Sequence, residues 1–331
     1  MIKDSFEMKS TLHHLLPVWL LMAFALVGCA DSESDADSGV PTNEARAVAF
    51  TGEGATNGLF AVGERHYVRF SRGNLQYQAS SAMWRFAPQQ YQVVGEANAR
   101  LSATTAEWID LFGWGTSGWN SGAAYYRPFD NHPDSRGYAP HGDTRANIDT
   151  TLADWGRAVA IVNGGGQEGL WRTLTQAEWN YLLGSSESEA YGRAGRWAAA
   201  TVEGVPGLLL LPNRRVGADG QVYLWRLPSD VRFTEGQAGG WSTNVYSGEQ
   251  WERLERCGVV FLPAAQLRNN SINAWGVVSS TYIGITDGYY WSSTAATDAS
   301  AYAVSLSAEH KVLPMDRQYG LSVRLVADYA R

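Results

Sequence analysis

The sequence predicts an α+β fold of short helices, twisted antiparallel strands and long loops, on three observations. From Tyr289 to Val326, apolar side chains alternate with small or polar ones: Tyr302, Val304 and Leu306 against Ala301, Ala303 and Ser305, then Leu321, Val323 and Leu325 against Ser322 and Arg324. A period of two marks half-buried strands, here separated by a polar excursion from Ala308 to Tyr319. Thr175-Gln176-Ala177-Glu178-Trp179 and Ser247-Gly248-Glu249-Gln250-Trp251 place a hydroxyl three residues before Glu or Gln, the signature of a capped helix start. Gly207 to Pro212 and Val259 to Pro263 are continuous apolar runs ended by proline, which read as central strands buried on both sides.

The remaining elements follow in order. Between Ala47 and Gly95, Phe60 to Glu64, Tyr67 to Phe70, Leu75 to Tyr77, Trp84 to Phe86 and Tyr91 to Val94 alternate with turns such as Ser71-Arg72-Gly73-Asn74, predicting one small antiparallel sheet. Thr104-Thr105-Ala106-Glu107-Trp108 carries the same capping pattern as the two helix starts and predicts a third, with Thr151 to Trp155 a weaker fourth. In the two strongest, Leu174 and Tyr246 precede the cap and are placed to staple against Trp179 and Trp251. Leu111 to Asn120 sets aromatics among glycines, and Asn163-Gly164-Gly165-Gly166 is a turn without the Lys-Ser/Thr or spacing of a phosphate cradle. Cys257 closes the helix that begins at Ser247, just before Gly258, and reads as a buried, inert thiol.

The N-terminus divides differently. Leu15 to Val27 is apolar apart from Pro17, the length of a signal-peptide core and too short for a spanning helix. It ends Leu26-Val27-Gly28-Cys29, which looks like a bacterial lipobox, in which the cysteine receives a diacylglycerol. Asp4 and Glu7 are out of place in such a leader, which favours Met8 as the initiator. Ala30 to Gly39 is acidic, small and free of aromatics, a solvated tether. Residues 1–28 are therefore expected to be a leader, 29–46 a tether and 47–331 a single domain. With Cys29 lipidated, Cys257 is left alone, and neither an intrachain disulfide nor a cysteine-based metal site is expected. A formal charge of −7 and only three lysines argue against a nucleic-acid partner.

Leu170-Trp171-Arg172-Thr173-Leu174-Thr175-Gln176-Ala177-Glu178-Trp179-Asn180-Tyr181 resembles the helix-start signature of the formylglycine-generating enzyme (sulfatase-modifying factor) superfamily, and Gly320 to Arg324 its terminal strand. Together with Leu111 to Asn120, Phe261 to Ala265 and Tyr290 to Ser293, these motifs resemble paralogous lipoproteins of gut and oral Bacteroidetes, which share features with the Fibrobacter succinogenes major paralogous domain. The resemblance spans roughly residues 60 to 327 and implies a C-type lectin-like fold. The acidic run after Cys29 resembles the surface-export signal of such lipoproteins, which implies an outer-membrane, cell-surface location. The copper-binding cysteine pair of formylglycine-generating enzymes is missing, as are the Glu-Pro-Asn, Gln-Pro-Asp and Trp-Asn-Asp triplets of calcium-dependent lectins. Neither chemistry carries over with the fold.

Other chemistry finds little support. Asp130, His132, Asp134, His141, Asp143 and Asp149 lie in a Pro- and Gly-rich stretch whose spacing converges no ligands, so no metal and no cofactor is expected. Ser292, Ser293 and His310 lack a nucleophile elbow, and no catalytic residue is assigned. The chemically assorted positions Thr297, Asp298, Glu309, Lys311, Met315, Asp316, Gln318 and Tyr319 are the candidate ligand-binding residues, expected to share one exposed face. Their pattern fits a target of diversity-generating retroelements, which vary ligand-facing positions and spare strands. The expected function is a non-catalytic, lipid-anchored module that binds a surface protein or glycan. A divergent formylglycine-generating-type enzyme and a structural lipoprotein without a ligand stay open.

Overall fold

A computed structural model describes residues 53–119, 126–128, 146–184, 197–236, 240–272, 278–283, 287–306 and 311–329. Its strands run β1 (Gly58–Gly63), β2 (His66–Phe70), β3 (Leu75–Gln78), β4 (Met83–Phe86), β5 (Trp108–Ile109), β6 (Arg172–Thr173), β7 (Trp197–Val202), β8 (Val205–Leu210) and β9 (Arg214–Val216). They continue with β10 (Val222–Leu224), β11 (Val245–Tyr246), β12 (Val260–Pro263), β13 (Leu267–Ile272), β14 (Val278–Ile283), β15 (Tyr289–Ala295), β16 (Ser300–Ser305), β17 (Val312–Asp316) and β18 (Leu325–Asp328). The helices are short: α1 (Trp155–Ala158), α2 (Gln176–Leu182) and α3 (Gly248–Arg256). The fold is strand-rich and mixed, in keeping with the α+β expectation.

A six-stranded sheet has the order β10-β9-β1-β2-β18-β6, so the closing strand of the chain sits between the second strand and the sixth. A four-stranded sheet, β11-β7-β8-β12, is antiparallel except where β11 joins β7. The smaller sheets are β4-β3-β5, β13-β14 and β15-β16-β17. The expected N-terminal sheet is thus divided, because the Ser71–Asn74 turn carries the chain from one sheet into another instead of forming a hairpin. Tyr91 to Val94 is irregular after a turn at Tyr91, not a strand.

Three buried clusters hold the sheets together. One gathers Trp84, Phe112, Trp114, Trp155, Trp171, Trp291, Leu321, Val323 and Leu325. The second gathers Phe60, Val68, Phe70, Leu174, Trp179, Tyr290, Val304 and Val326, and the third Tyr246, Trp251, Leu254 and Phe261. Tyr290 and Trp291 enter different clusters, as do Leu325 and Val326. The strands expected to be half-buried therefore lie between two cores and are buried on both faces. Ala301, Ala303, Ser322 and Arg324 are all buried, where a solvated face was expected. Gly320 to Ser322 reach their neighbours through isolated bridges, and the polar excursion contains β17, antiparallel to β16.

The local signals at α2 and α3 are realised. Thr175 accepts from the Glu178 amide while Glu178 accepts from the Thr175 amide, and Ser247 and Gln250 repeat the pattern. Leu174 and Trp179 are fully buried in the second cluster, Tyr246 and Trp251 in the third. The Thr104 signal gives no helix: Trp108 and Ile109 pair with Gln78 and Tyr77 as β5, and Glu107 instead meets Arg100 at 3.2 Å. The cap of α1 is Asp154, not Thr151.

The apolar runs form β8 and β12, paired antiparallel from Leu210↔Val260 to Gly207↔Pro263. β12 lies at the end of its sheet in sequence order of pairing, yet is buried throughout. Gly258, at a φ of 89°, ends α3 with its backbone against that of Gly58, an approach that a Cβ on either residue would prevent. Cys257 is buried and disulfide-bonded, which corrects the expected lone thiol.

Candidate functional site

The C-terminal hairpin of β15, β16 and β17 carries most of the candidate binding residues. Its tip, Ala296 to Ala299, is closed by its own side chains. The Thr297 hydroxyl accepts from the amides of Ala299 and Ser300, both at 3.1 Å, and pairs with the Ser300 hydroxyl at 2.7 Å. Thr297 therefore shapes the turn, and Asp298 is the exposed side chain it presents.

Arg317 fastens this tip to the body of the protein. Its guanidinium donates to the Thr297 carbonyl at 2.6 Å and to the Ser300 carbonyl at 3.2 Å. The same group lies 4.4 Å from the centre of the Trp114 ring, a cation–π contact strengthened by burial of both side chains. The Trp114 amide donates to the Arg317 carbonyl, and its indole N–H to the Ser292 carbonyl at 2.8 Å. Asp316, exposed at the end of β17, pairs with Ser300 beside the tip.

Trp114 is one of several tryptophans used in this way. The indole N–H of Trp291 donates to the Phe112 carbonyl at 2.7 Å, and that of Trp155 to the Thr116 carbonyl at 2.9 Å. These donors satisfy the irregular backbone of the Gly-rich segment 111–118, which has few ladder bonds of its own. Loop 146–149 is held on the other side of the hairpin, where Asn147 accepts from the Ala295 amide and the Ile148 amide donates to Ser293. Through Arg317 the hairpin tip is thereby tied to this tryptophan-rich segment.

The candidate residues do not form one face. Asp298 lies in the tip and Asp316 opposite Ser300 at its base, and the Tyr319 amide donates a hydrogen bond to the Asp316 carbonyl. Tyr319 and Met315 are half-buried against the first cluster, and Gln318 is half-buried beside them. Lys311 precedes β17, level with Ser305, about 16 Å from Asp316 at roughly 3.3 Å per residue. Glu309, like Cys29 and His310, lies outside the described residues. Arg317 and Trp114 were missed by sequence reading because their roles depend on partners far apart in the chain.

The strongest electrostatic perturbations lie elsewhere. Burial raises Asp110 to about 6 against the bonds it accepts from Asn98 and the Val94 amide, and raises Asp154 to about 6 against those from Thr173 and Gly156. Both carboxylates organise backbone at structural junctions. At the rim, Arg172 binds Glu178 at 2.7 Å and Asp328 at 2.7 Å, while His66 reaches Asp328 at 3.0 Å. Arg172 sits between the two carboxylates where a cation would have to sit. Among the described residues no three His, Cys, Asp or Glu side chains gather to hold a metal ion, and Asp130, His132, Asp134, His141 and Asp143 lie outside them. Ser292 donates to the Tyr302 carbonyl, a strand contact.

No protein-family model, curated protein or solved structure matches the chain.

Proposed function

We propose that this protein is a lipid-anchored surface module that binds a protein or glycan ligand, without catalysis, through the tip of its C-terminal hairpin. In this reading Cys29 bears the lipid, residues 30–46 are the tether, the body has a C-type lectin-like scaffold, and the site is an outer-membrane, cell-surface one. The order of the sequence motifs supports the scaffold, and the chemically assorted residues of the tip fit a retroelement target.

The observation that carries the proposal is the Arg317–Trp114 stack beneath the exposed Asp298 and Asp316. A buried cation that binds two tip carbonyls fixes the loop without occupying its outer surface. Side chains on such a tip can vary while the backbone beneath them keeps its shape, and ordering costs little when ligand arrives. The two carboxylates favour a ligand that offers hydrogen-bond donors, as sugar hydroxyls and basic side chains do.

The test is a glycan and surface-protein array probed with the full chain, followed by affinity measurement on the best binder. Asp298→Ala with Asp316→Ala lowers affinity at least about tenfold, or 1.4 kcal/mol, while thermal stability is kept. Lys311→Ala, at the far end of β17, leaves affinity unchanged. Equal binding by the Asp298/Asp316 variant overturns the assignment of the tip.

A further inference from the structure

The face of the six-stranded sheet that Leu224, Arg214 and Tyr67 share has a composition unlike the rest of this acidic protein. Register places Leu224 opposite Arg214 and Arg214 opposite Leu59, then Ala61 opposite Tyr67. The Tyr329 amide donates to the Tyr67 carbonyl, which extends the row to the closing strand. Asp328, the one acidic residue within strands β10, β9, β1, β2 and β18, pairs with Val68 and so belongs to the opposite face. At the rim, exposed Glu64 and Arg65 offset one another.

Cations and rings cooperate across this face. The Arg214 guanidinium lies 5.8 Å from the centre of the Tyr67 ring, although β1 separates their strands. The pair spans the strand that carries Leu59 and Ala61, both buried. Arg69, beside them, lies 4.9 Å from the centre of the Tyr329 ring. Leu224 stands 70% exposed at the sheet edge. Arginine, tyrosine and an exposed leucine, with no carboxylate among them, match the residues that settle at a membrane–water interface, the cations on phosphates and the apolar groups beneath them.

We propose that this face lies against an anionic lipid surface, with Arg69 and Arg214 on headgroup phosphates and Leu224 dipping below them. The proposal orients the anchored molecule, placing this sheet toward the membrane; it rests on the anchored reading for the identity of that membrane, but the lipid contact is made by the folded chain itself.

Sedimentation with vesicles tests it, using the full chain carrying Cys29→Ala so that no lipid is attached. Vesicles of phosphatidylcholine alone are compared with vesicles containing phosphatidylglycerol. Any pull from the apolar leader acts on both, so the readout is the preference for anionic vesicles. The expected result is a preference of at least about tenfold that fades as salt is raised. Arg69→Glu with Arg214→Glu abolishes it, and Leu224→Asp weakens it, with circular dichroism unchanged. Equal binding to both vesicles, or an undiminished preference in the double variant, overturns the proposal. Loss of lipidation in cells bears on Cys29 alone and leaves this result standing.

Discussion

The Arg324 guanidinium donates to the Gln90 side-chain oxygen at 2.5 Å, inside the protein and across 234 positions of sequence. Gln90 passes the interaction on, donating to Glu255 at 3.1 Å and accepting from the Phe261 amide at 2.9 Å. The network joins the closing segment to α3 and β12 without direct contact between Arg324 and Glu255. Burial lowers Arg324 to about 10, so it stays charged at neutral pH, and it raises Glu255, with Gln90 and Arg324 acting against that rise.

Removing one member of a buried charged network leaves the others desolvated and unpaired. Arg324→Ala is therefore expected to cost about 3–5 kcal/mol in urea unfolding. Arg324→Met, which keeps the volume, should cost less than Arg324→Ala when combined with Glu255→Gln, because the orphaned carboxylate is then gone. A loss under about 1 kcal/mol for Arg324→Ala would show that water reaches the site freely.

Trp179 offers a cleaner test of packing. Its side chain is fully buried with Leu174 and Phe70, the latter ring centre 6.2 Å away, yet its indole N–H has no hydrogen-bond partner among the described residues. Trp179→Ala is expected to cost about 3–5 kcal/mol through the cavity it leaves. Trp179→Phe should cost much less, since it removes an unsatisfied donor along with part of the ring. Chemical denaturation of both variants checks this, and equal losses would mean that the indole N–H is bonded in solution.

These residues show where the sequence could be read and where it could not. The caps at Thr175 and Ser247 are local, each made by residues three apart, and both helices start as the pattern says. The same pattern at Thr104 lost to strand pairing with Gln78 and Tyr77, thirty or so positions upstream. Arg324 looked solvated because alternation reports a strand's two faces, not whether the second also meets a core. β17 was hidden by Pro314 and the charges at its ends. The hairpin tip was legible as a set of chemically assorted positions, but Arg317 beneath it was not, since nothing local marks a cation destined for Trp114.

Two buried carboxylates set a pH dependence with a definite sign. Asp110 and Asp154 are raised by burial from 3.8 to about 6. Between those values the folded chain binds more protons than the unfolded one, so stability falls as pH rises through the window. Acidification from about pH 7.5 to about pH 5 is expected to stabilise the fold, by on the order of 1 kcal/mol for each group. Asp328 opposes this only at lower pH: burial would raise it, but Arg172 and His66 hold it below its usual value, and its contribution is lost as pH falls through that lowered range. Melting temperatures across this interval should rise on acidification; a steady decline would mean that both carboxylates are hydrated.

The chain contains two cysteines, which makes the anchoring claim decidable by chemistry. A sulfur carrying a diacylglycerol thioether cannot also join a disulfide, so lipidation of Cys29 and a bond from Cys29 to Cys257 exclude one another. Cys257 is disulfide-bonded in the structure described above, so the proposed lipid on Cys29 requires that sulfur to be released or paired otherwise. The expected result in cells is labelling by palmitate that Cys29→Ala abolishes and Cys257→Ala leaves intact. Denatured mature protein should then yield a Cys257 thiol once reductant is added, with the lipid mass on the N-terminal peptide. A label-free protein whose N-terminal peptide is linked to the Cys257 peptide before reduction would discard the lipid anchor and leave a secreted, cross-linked domain.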